Sequence, residues 1–168
     1  MIYFITGASG AGKTTLLEYL KKKFLHKGWR LFNFDSIGVP SLEEMIKKYG
    51  SASNWQEAMT NQWIDKLIHE HNKSHIIIEG QMNLKFIQDR CKKHSFKDYK
   101  IILLDCSEEE MIYRLKHKRN QPELITEDMK NWLKFLRQQA DELDIKLVNT
   151  ENMSMESIVD ILEDNDKN

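Results

Sequence analysis

The sequence predicts an α/β domain built around a parallel β-sheet. Short apolar runs rich in β-branched residues alternate with longer amphipathic segments along the chain. Near-continuous apolar runs indicate strands that are buried on both faces, as in parallel sheets. Three of the seven glycines also lie between residues 7 and 12, directly after the first run. Together these observations predict alternating strands and helices joined by right-handed crossovers.

Five apolar runs are predicted as strands. The first reads Ile-Tyr-Phe-Ile and leads directly into the glycine-rich segment. The predicted strands cover residues 2–5, 29–34, 75–78, 101–104 and 145–148. Their order along the chain places one amphipathic segment or more after each strand, which is the pattern expected of an α/β domain.

A helical period of apolar residues predicts the elements between these strands. In residues 14–27, Leu16, Leu17, Leu20 and Phe24 share one helical face. Capping boxes mark three further helix starts, at Ser41-x-x-Glu44, Ser53-x-x-Gln56 and Ser107-x-x-Glu110. The other predicted helices cover residues 83–94, 108–118, 126–143 and 154–162.

Composition limits the class of protein. A chain of 168 residues with 25 basic and 26 acidic residues is expected to form one domain with little net charge. That balance argues against a protein that binds nucleic acid or a membrane surface. Two cysteines, Cys91 and Cys106, predict neither a disulfide framework nor a cysteine metal site. Without an apolar stretch of about 18 residues or a signal-peptide pattern, the expected location is the cytoplasm. The oligomeric state stays open.

The glycine-rich segment carries a phosphate-binding motif. Residues 7–14 read Gly-Ala-Ser-Gly-Ala-Gly-Lys-Thr and match G-x-x-x-x-G-K-[ST]. Glycines let backbone N–H groups point inward at phosphate oxygens, and the dipole of the following helix points to the same place. Lys13 is predicted to reach the β and γ phosphates, and the Thr14 hydroxyl is predicted to ligate Mg²⁺. The predicted phosphate-binding set is Gly7, Ala8, Ser9, Gly10, Ala11, Gly12, Lys13, Thr14 and Thr15.

Three classes of protein use such a loop: kinases, GTPase-type switches and motor or assembly ATPases. A switch protein typically carries an Asn-Lys-x-Asp stretch that reads guanine, and this chain has none. A motor ATPase usually needs a longer chain and a strand that ends in aspartate, whereas the third predicted strand ends in Glu79-Gly80. These features favour a kinase, and they leave ATP or GTP open as the donor.

Two acidic residues follow neighbouring predicted strands. Asp35 lies at the carboxyl end of the second strand, where open α/β sheets place their sites. It is predicted to take the proton from an acceptor hydroxyl, and the alternative is a cap or turn residue. Glu79 is predicted to hold Mg²⁺ through water or to position the acceptor, and the alternative is a solvated charge at a strand end. Which of the two organises the metal stays open.

Two of the five arginines follow the fourth strand. Arg114 and Arg119 lie on, or just past, one predicted helix. A planar guanidinium pairs well with the oxygens of a transferring phosphoryl group, and the alternative is an ordinary basic helix end. Asp105 is predicted to be structural, and Cys106 is predicted to be a small core residue.

The chain resembles the small P-loop kinases, namely nucleoside monophosphate kinases, shikimate kinase and gluconate kinase. The resemblance covers nearly the whole length and rests on the motif at residues 7–14 and on "FNFDS", "IIIEG" and "LLDCSEEEMIYRLKHKR". It implies a P-loop NTPase three-layer sandwich with helices on both faces of a five-stranded parallel sheet. The implied strand order is 2-3-1-4-5.

The same resemblance implies roles for individual residues. Arg114 would lie against adenine, Arg119 would close on the phosphates, and Asp35 would contact the acceptor. The segment Asn149–Met153 falls where such kinases line the adenine pocket, so Asn149 is assigned to nucleotide binding. The expected cofactors are ATP and Mg²⁺.

The acceptor region departs from the monophosphate kinases, which clamp the acceptor phosphate with arginines. No arginine occurs from Leu31 to Asp89, where those enzymes place them. A forked clamp for phosphate or carboxylate is therefore not expected. Aromatic and amide groups in this region suit a neutral acceptor such as a sugar, nucleoside or antibiotic, and the alternative for Trp55 and Trp63 is helix core.

The sequence therefore predicts one P-loop kinase domain over residues 1–168. An acceptor-binding helical insert is expected at about residues 37–73, and a short lid at about residues 119–125. The predicted reaction transfers the γ-phosphate of ATP to a small-molecule hydroxyl that carries no phosphate. The alternatives are a nucleoside monophosphate kinase and a nucleotide-binding regulator or ATPase without a small acceptor.

Overall fold

Strands and helices alternate along the chain. The computed structural model describes residues 1–24, 28–72 and 74–163. The strands are β1 (Ile2–Thr6), β2 (Arg30–Asn33), β3 (Ile76–Gly80), β4 (Tyr99–Asp105) and β5 (Lys146–Asn149). The α-helices are α1 (Lys13–Phe24), α2 (Leu42–Tyr49), α3 (Ala52–Glu70), α4 (Leu84–Lys93), α5 (Glu108–Tyr113), α6 (Glu127–Glu142) and α7 (Met155–Glu163).

The five strands form one parallel sheet in the order β2-β3-β1-β4-β5. This confirms the predicted fold and strand order. The register places Asn33 of β2 and Ile5 of β1 on either side of Glu79. The carboxyl ends of β1, β2 and β3 therefore meet beside the glycine-rich loop, where open parallel sheets bind ligands.

The central strands β1 and β3 are buried on both faces, as the apolar runs predict, whereas the edge strands β2 and β5 are partly exposed. Tyr3 and Ile5 pack on α1 and α7, whereas Ile2 and Phe4 pack on α3 and α4. Successive side chains of a strand point to opposite faces, so one continuous apolar run supplies two cores. Leu103 joins α4 and α6 on the second face. The result is a three-layer sandwich.

One predicted helix start, that of α3, differs from the structure, whereas the predicted start of α2 agrees with it. The capping box of α2 is confirmed, because Ser41 and Glu44 bond each other's backbone N–H groups. The cap of α3 is Ser51 rather than Ser53, which lies inside the helix. Both serines are followed three residues later by a polar side chain, so the local pattern does not separate them. Residues 25–27 of the first predicted helix, residue 73 of the predicted insert and residues 164–168 lie outside the described residues.

The predicted helix at residues 108–118 is confirmed in extent but not in type. Its first part is α5, and a π-helix follows from Arg114 to Lys118. A short 3₁₀ turn, Pro122–Leu124, then leads into α6. Among the described residues, no helix is long and apolar enough to cross a membrane.

Candidate active site

Glycine is required in the loop between β1 and α1 because the chain approaches other backbone closely. A Cβ on Gly7 would stand 2.5 Å from the carbonyl oxygen of Leu104, which no side chain tolerates. Gly10 and Gly12 adopt φ angles of +83° and +95°, which glycine reaches without strain. The loop therefore curls tightly against β4 and leads into the N-terminus of α1.

Lys13 is the first residue of α1 and folds back over this loop. Its ammonium donates to the carbonyl oxygens of Gly7 and Ala8, each at 2.9 Å. Burial lowers the pKa of Lys13 to about 8, the nearby Glu79 carboxylate opposes that shift, and the positive charge of Arg119 adds to it. A lysine that bonds only carbonyl oxygens lacks a full counter-charge, so an anion at this place would stabilise its charged form.

A cleft of about 420 Å³ opens above the loop. Its walls come from the loop and α1 on one side, and from the segments after β4 and β5 on the other. The lining residues are Gly10, Gly12, Lys13, Thr14, Thr15, Arg114, Lys118, Arg119, Thr150 and Met155. Backbone N–H groups at a helix N-terminus and four basic side chains make this cleft suited to a polyanion.

Arg114 is held in place by four hydrogen bonds. Its Nε donates to Glu110 at 2.6 Å, and Nη1 donates to the carbonyl of Gly10 at 3.1 Å. Nη1 and Nη2 also donate to the hydroxyl and the carbonyl of Thr150, at 2.8 and 3.0 Å. The guanidinium thus joins α5, the phosphate-binding loop and the segment after β5, and it forms a rigid wall of the cleft.

The carboxylates of β2 and β3 lie at the same edge of the sheet. Glu79 is only 2% exposed, and its carboxylate accepts a hydrogen bond from the Asn33 amide. Burial raises the pKa of Glu79, against the opposing field of Lys13. Asp35 is exposed in the 3₁₀ turn after β2, and its backbone N–H donates to Asn33 Oδ1 at 2.8 Å. One asparagine therefore connects the two predicted acidic site residues.

The donor set for a metal ion fits Mg²⁺ held largely by phosphates. Among the residues that the structure describes, no group of three or more His, Cys, Asp or Glu could hold an ion. The hydroxyl of Thr14 and the carboxylate of Glu79 are the oxygen groups that the loop and β3 offer. Mg²⁺ commonly takes one or two protein oxygens together with substrate phosphates, so this sparse set is adequate.

The segment after β3 ties the loop to α3. The side-chain amide of Gln81 donates to the Ser9 hydroxyl at 3.0 Å, and the backbone carbonyl of Gln81 accepts from the Gln56 side-chain amide at 3.0 Å. Asn83 caps α4 by accepting from the N–H groups of Lys85 and Phe86. Gln81 therefore faces the phosphate-binding loop, whereas the Asn83 side-chain oxygen is occupied by the cap.

The two tryptophans of α3 differ in their surroundings. Trp55 lines an open cavity of about 630 Å³ together with Tyr49, Met59 and Gln62. Trp63 donates its indole N–H to the carbonyl of Phe34 at 3.1 Å. Both are more than nine-tenths buried, as the core alternative predicts, while Trp55 also presents an edge to the cavity.

The sequence analysis assigned no binding role to three residues that line the cleft, Lys118, Thr150 and Met155, and it assigned one to Asn149, which is not among the lining residues. Thr150 is buried, bonds Arg114, and donates to the carbonyl of Ala11 or Asp105 at 3.1 Å. Met155 lines the cleft beyond it. Asn149, the residue assigned to nucleotide binding, is exposed and caps a turn by accepting from the N–H of Glu151. The "NTENM" segment was the available signal, but only the fold shows which of its side chains turns inward.

Two neighbouring predictions agree with the structure. Asp105 is buried at the end of β4, and its carboxylate accepts from Arg137 Nε at 2.9 Å. Cys106 is fully buried against Ala8, Met111 and Leu115, and burial raises the pKa of its thiol to about 11. Both residues support the loop from behind.

Comparison with known proteins places the chain in a family and assigns its fold. A family model described as an AAA domain matches residues 4–132. No curated protein matches the chain in sequence. Among solved structures, deoxyadenosine kinase from M. mycoides, with the products dCMP and a flexible dCDP bound, is 17% identical. The match covers 98% of both chains with a TM-score of 0.63.

Two other solved structures have the same fold. Shikimate kinase from Aquifex aeolicus is 18% identical over 98% of both chains, with a TM-score of 0.64. A gluconokinase from Sinorhizobium meliloti is 14% identical over 94% of this chain and 86% of that one, with a TM-score of 0.61. The predicted likeness to the small P-loop kinases is thereby confirmed at the level of the fold.

Proposed function

The chain belongs to the AAA domain family, and we propose that it transfers the γ-phosphate of ATP to a hydroxyl group of a small molecule. The single observation that carries this proposal is the cleft in which Lys13, Arg114 and Arg119 surround the glycine-rich loop. The buried carboxylate of Glu79 and the side-chain amide of Asn33 lie at the carboxyl ends of β3 and β2, on the same edge of the sheet. A polyanion site beside a possible proton acceptor is the arrangement that phosphoryl transfer requires.

The donor half of the site consists of the loop and the two arginines. Backbone N–H groups of residues 7–15 bind the β and γ phosphates, and Lys13 exchanges its carbonyl partners for phosphate oxygens. Thr14 and Glu79 would hold Mg²⁺, which, when bound, neutralises charge on the phosphate oxygens. Arg114 forms the wall beside the base, and Arg119 approaches the phosphates from the segment after it.

The acceptor half begins at Asp35. The acceptor hydroxyl oxygen attacks the γ-phosphorus in line, the bond to the bridging oxygen of ADP breaks, and Asp35 takes the hydroxyl proton. Asp35 is exposed to solvent, so an acceptor can approach its carboxylate. In this proposal the whole chain is one kinase domain, residues 37–73 hold the acceptor, and residues 119–125 close over the donor.

The acceptor is proposed to carry no phosphate because the basic residue that lines the cavity beside Trp55 is Lys48, a point charge rather than a forked donor, and other basic groups of this region have partners elsewhere. Lys66 lies over the Trp63 ring at 4.9 Å, and Lys85 pairs with Asp89 at 3.5 Å. The arginines that flank this part of the sequence pair with Glu70 and Asp65. A dianionic phosphate moved into a lidded site needs forked, charged donors in return for its hydration.

A coupled ADP-release assay tests the proposal. Purified protein with Mg²⁺ and ATP is screened against sugars, nucleosides, aminoglycosides and the monophosphates AMP, CMP, UMP, GMP and dTMP. At least one phosphate-free compound should accelerate ADP release, the monophosphates should not, and a Lys13→Ala variant should be inactive with all of them. Fast turnover with a monophosphate would establish a nucleoside monophosphate kinase instead. ATP hydrolysis that no compound accelerates would establish an ATPase.

A further inference from the structure

The helix that follows β4 changes its hydrogen-bonding period at the cleft. The N–H of Arg119 donates to the carbonyl of Arg114 at 2.9 Å. That bond spans five residues, whereas an α-helix would pair Arg119 with Leu115. The π-helix from Arg114 to Lys118 therefore holds one residue more than an α-helical turn. Such turns are rare and are frequently found at functional sites.

This extra residue decides where Arg119 points. In an α-helix five residues advance by about 500°, which would turn Arg119 about 140° away from Arg114. The five-residue hydrogen bond instead places Arg119 about one turn after Arg114, and Arg114, Lys118 and Arg119 all line the same cleft.

Both ends of the π-helix are fixed by other contacts. At its start, Arg114 is bonded to Glu110, Gly10 and Thr150. At its end, the N–H of Gln121 donates to the carbonyl of the fully buried Leu115 at 2.9 Å. The intervening residues 116–119 are exposed, so the extra residue is accommodated on the surface between two fixed points.

We propose that this π-helix is a positioning device that brings Arg119 onto the phosphates while Arg114 stays bound to the loop. The inference rests on the proposed function, since it needs a triphosphate in the cleft. Arg114 cannot itself move to the phosphates without breaking its four bonds. Arg119, one turn further along the helix and lining the same cleft, supplies the guanidinium that can move to the phosphates.

A register series tests this assignment, with binding of AMPPNP and Mg²⁺ measured by isothermal titration calorimetry. One alanine inserted between Lys116 and His117 makes Arg119 the sixth residue after Arg114. Affinity should then fall about tenfold, as it does in Arg119→Ala, which is the scale of a lost charge-assisted hydrogen bond. Thermal unfolding of each variant confirms that it folds.

Rescue separates position from mere stability. In the chain with the insertion, Lys118→Arg returns a guanidinium to the fifth position and should restore affinity to within about threefold of the wild type. The same substitution in a chain of normal length measures what the arginine adds by itself, and the rescue is judged against it. An insertion without effect, or one that Lys118→Arg does not rescue, would overturn the proposal.

Deleting Lys116 is the complementary variant, and it decides the question if the insertion prevents folding. Arg119 becomes the fourth residue after Arg114, which an α-helical turn places only about 40° away. AMPPNP affinity should stay within about threefold, and Arg119→Ala in this background should still cost about tenfold. Loss of the Arg119 effect in the deleted chain would overturn the proposal. A wild-type chain that does not bind AMPPNP would instead refute the proposed function itself, and this inference with it.

Discussion

Nucleotide binding above pH 8 should draw a proton from solution, because Lys13 is then mostly neutral in the free protein. Burial lowers its pKa to about 8, and within the described part of the chain its hydrogen-bond acceptors are the carbonyl oxygens of Gly7 and Ala8. Phosphate oxygens in the cleft would supply the negative charge that these carbonyls lack. An opposite charge within reach favours the protonated amine and raises its pKa again.

The magnitude follows from the titration of one group. With a pKa of about 8, roughly nine-tenths of the Lys13 side chains are charged at pH 7 and only about one-tenth at pH 9. If the bound form stays protonated, binding takes up about 0.1 proton at pH 7 and about 0.9 at pH 9. The apparent affinity falls about tenfold over the same interval, equivalent to about 1.4 kcal/mol.

Calorimetry in paired buffers measures this directly. AMPPNP and Mg²⁺ are titrated at pH 7, 8 and 9 in buffers with different ionisation enthalpies, and the slope of the observed enthalpy gives the number of protons taken up. The uptake should be absent in Lys13→Ala and retained in Lys22→Ala, an exposed lysine of the same helix.

Two results would refute the reasoning. Binding at pH 9 without proton uptake would mean that Lys13 is already charged in the free protein or stays neutral in the complex. Equal uptake in Lys13→Ala would assign the proton to another group. In either case the phosphate-binding role of Lys13 would need other support.

Substitutions at three positions give further testable predictions. Asp35→Asn should slow phosphoryl transfer by about 10²–10⁴-fold, while AMPPNP affinity, measured by calorimetry, should change less than about threefold. A large loss of affinity would instead mean that Asp35 binds the metal ion. Gly80→Ala should lower the free energy of unfolding, measured in urea, by about 1–3 kcal/mol, because the new Cβ would stand 2.4 Å from Phe34 Cβ. An unchanged urea midpoint would show that Phe34 moves aside at no cost in stability. Thr150→Val should lower the free energy of unfolding by about 1–3 kcal/mol and weaken AMPPNP binding, because it removes the hydroxyl that bonds Arg114. Thr150→Ser keeps the hydroxyl and should keep both the stability and the affinity. Equal losses in the two variants would assign the effect to packing.

Local patterns were sufficient where a residue's role depends on its immediate neighbours. The motif at residues 7–14 is read from spacing alone, since the positive φ angles at Gly10 and Gly12 are a local requirement of the loop. The capping box at Ser41 and the helix cap at Ser107 were likewise identified correctly, although the backbone N–H of Ser107 donates to Glu151 rather than to Glu110. Ser53 failed because Ser51 offers the same hydroxyl two residues earlier, and packing of α3 against the second core selects between them.

Side-chain partners across the sheet could not be read from the sequence. Asn33 bonds Glu79 across 46 residues, and Thr150 bonds Arg114 across 36. Nothing in the local pattern around Asn33 or Thr150 distinguishes either residue from an ordinary turn residue. Their importance arises from strand register and from the order in which strands lie side by side.

The sequence by itself determined the α/β class, the five strands and the loop, because apolar periodicity and glycine spacing act within a few residues. Only the tertiary structure decided which polar groups meet at the sheet edge, that Asn149 turns outward while Thr150 turns inward, and that a π-helix aligns Arg119 with Arg114. Those outcomes depend on contacts between segments far apart in sequence. Such contacts become definite only once the core has fixed the strands and helices relative to one another.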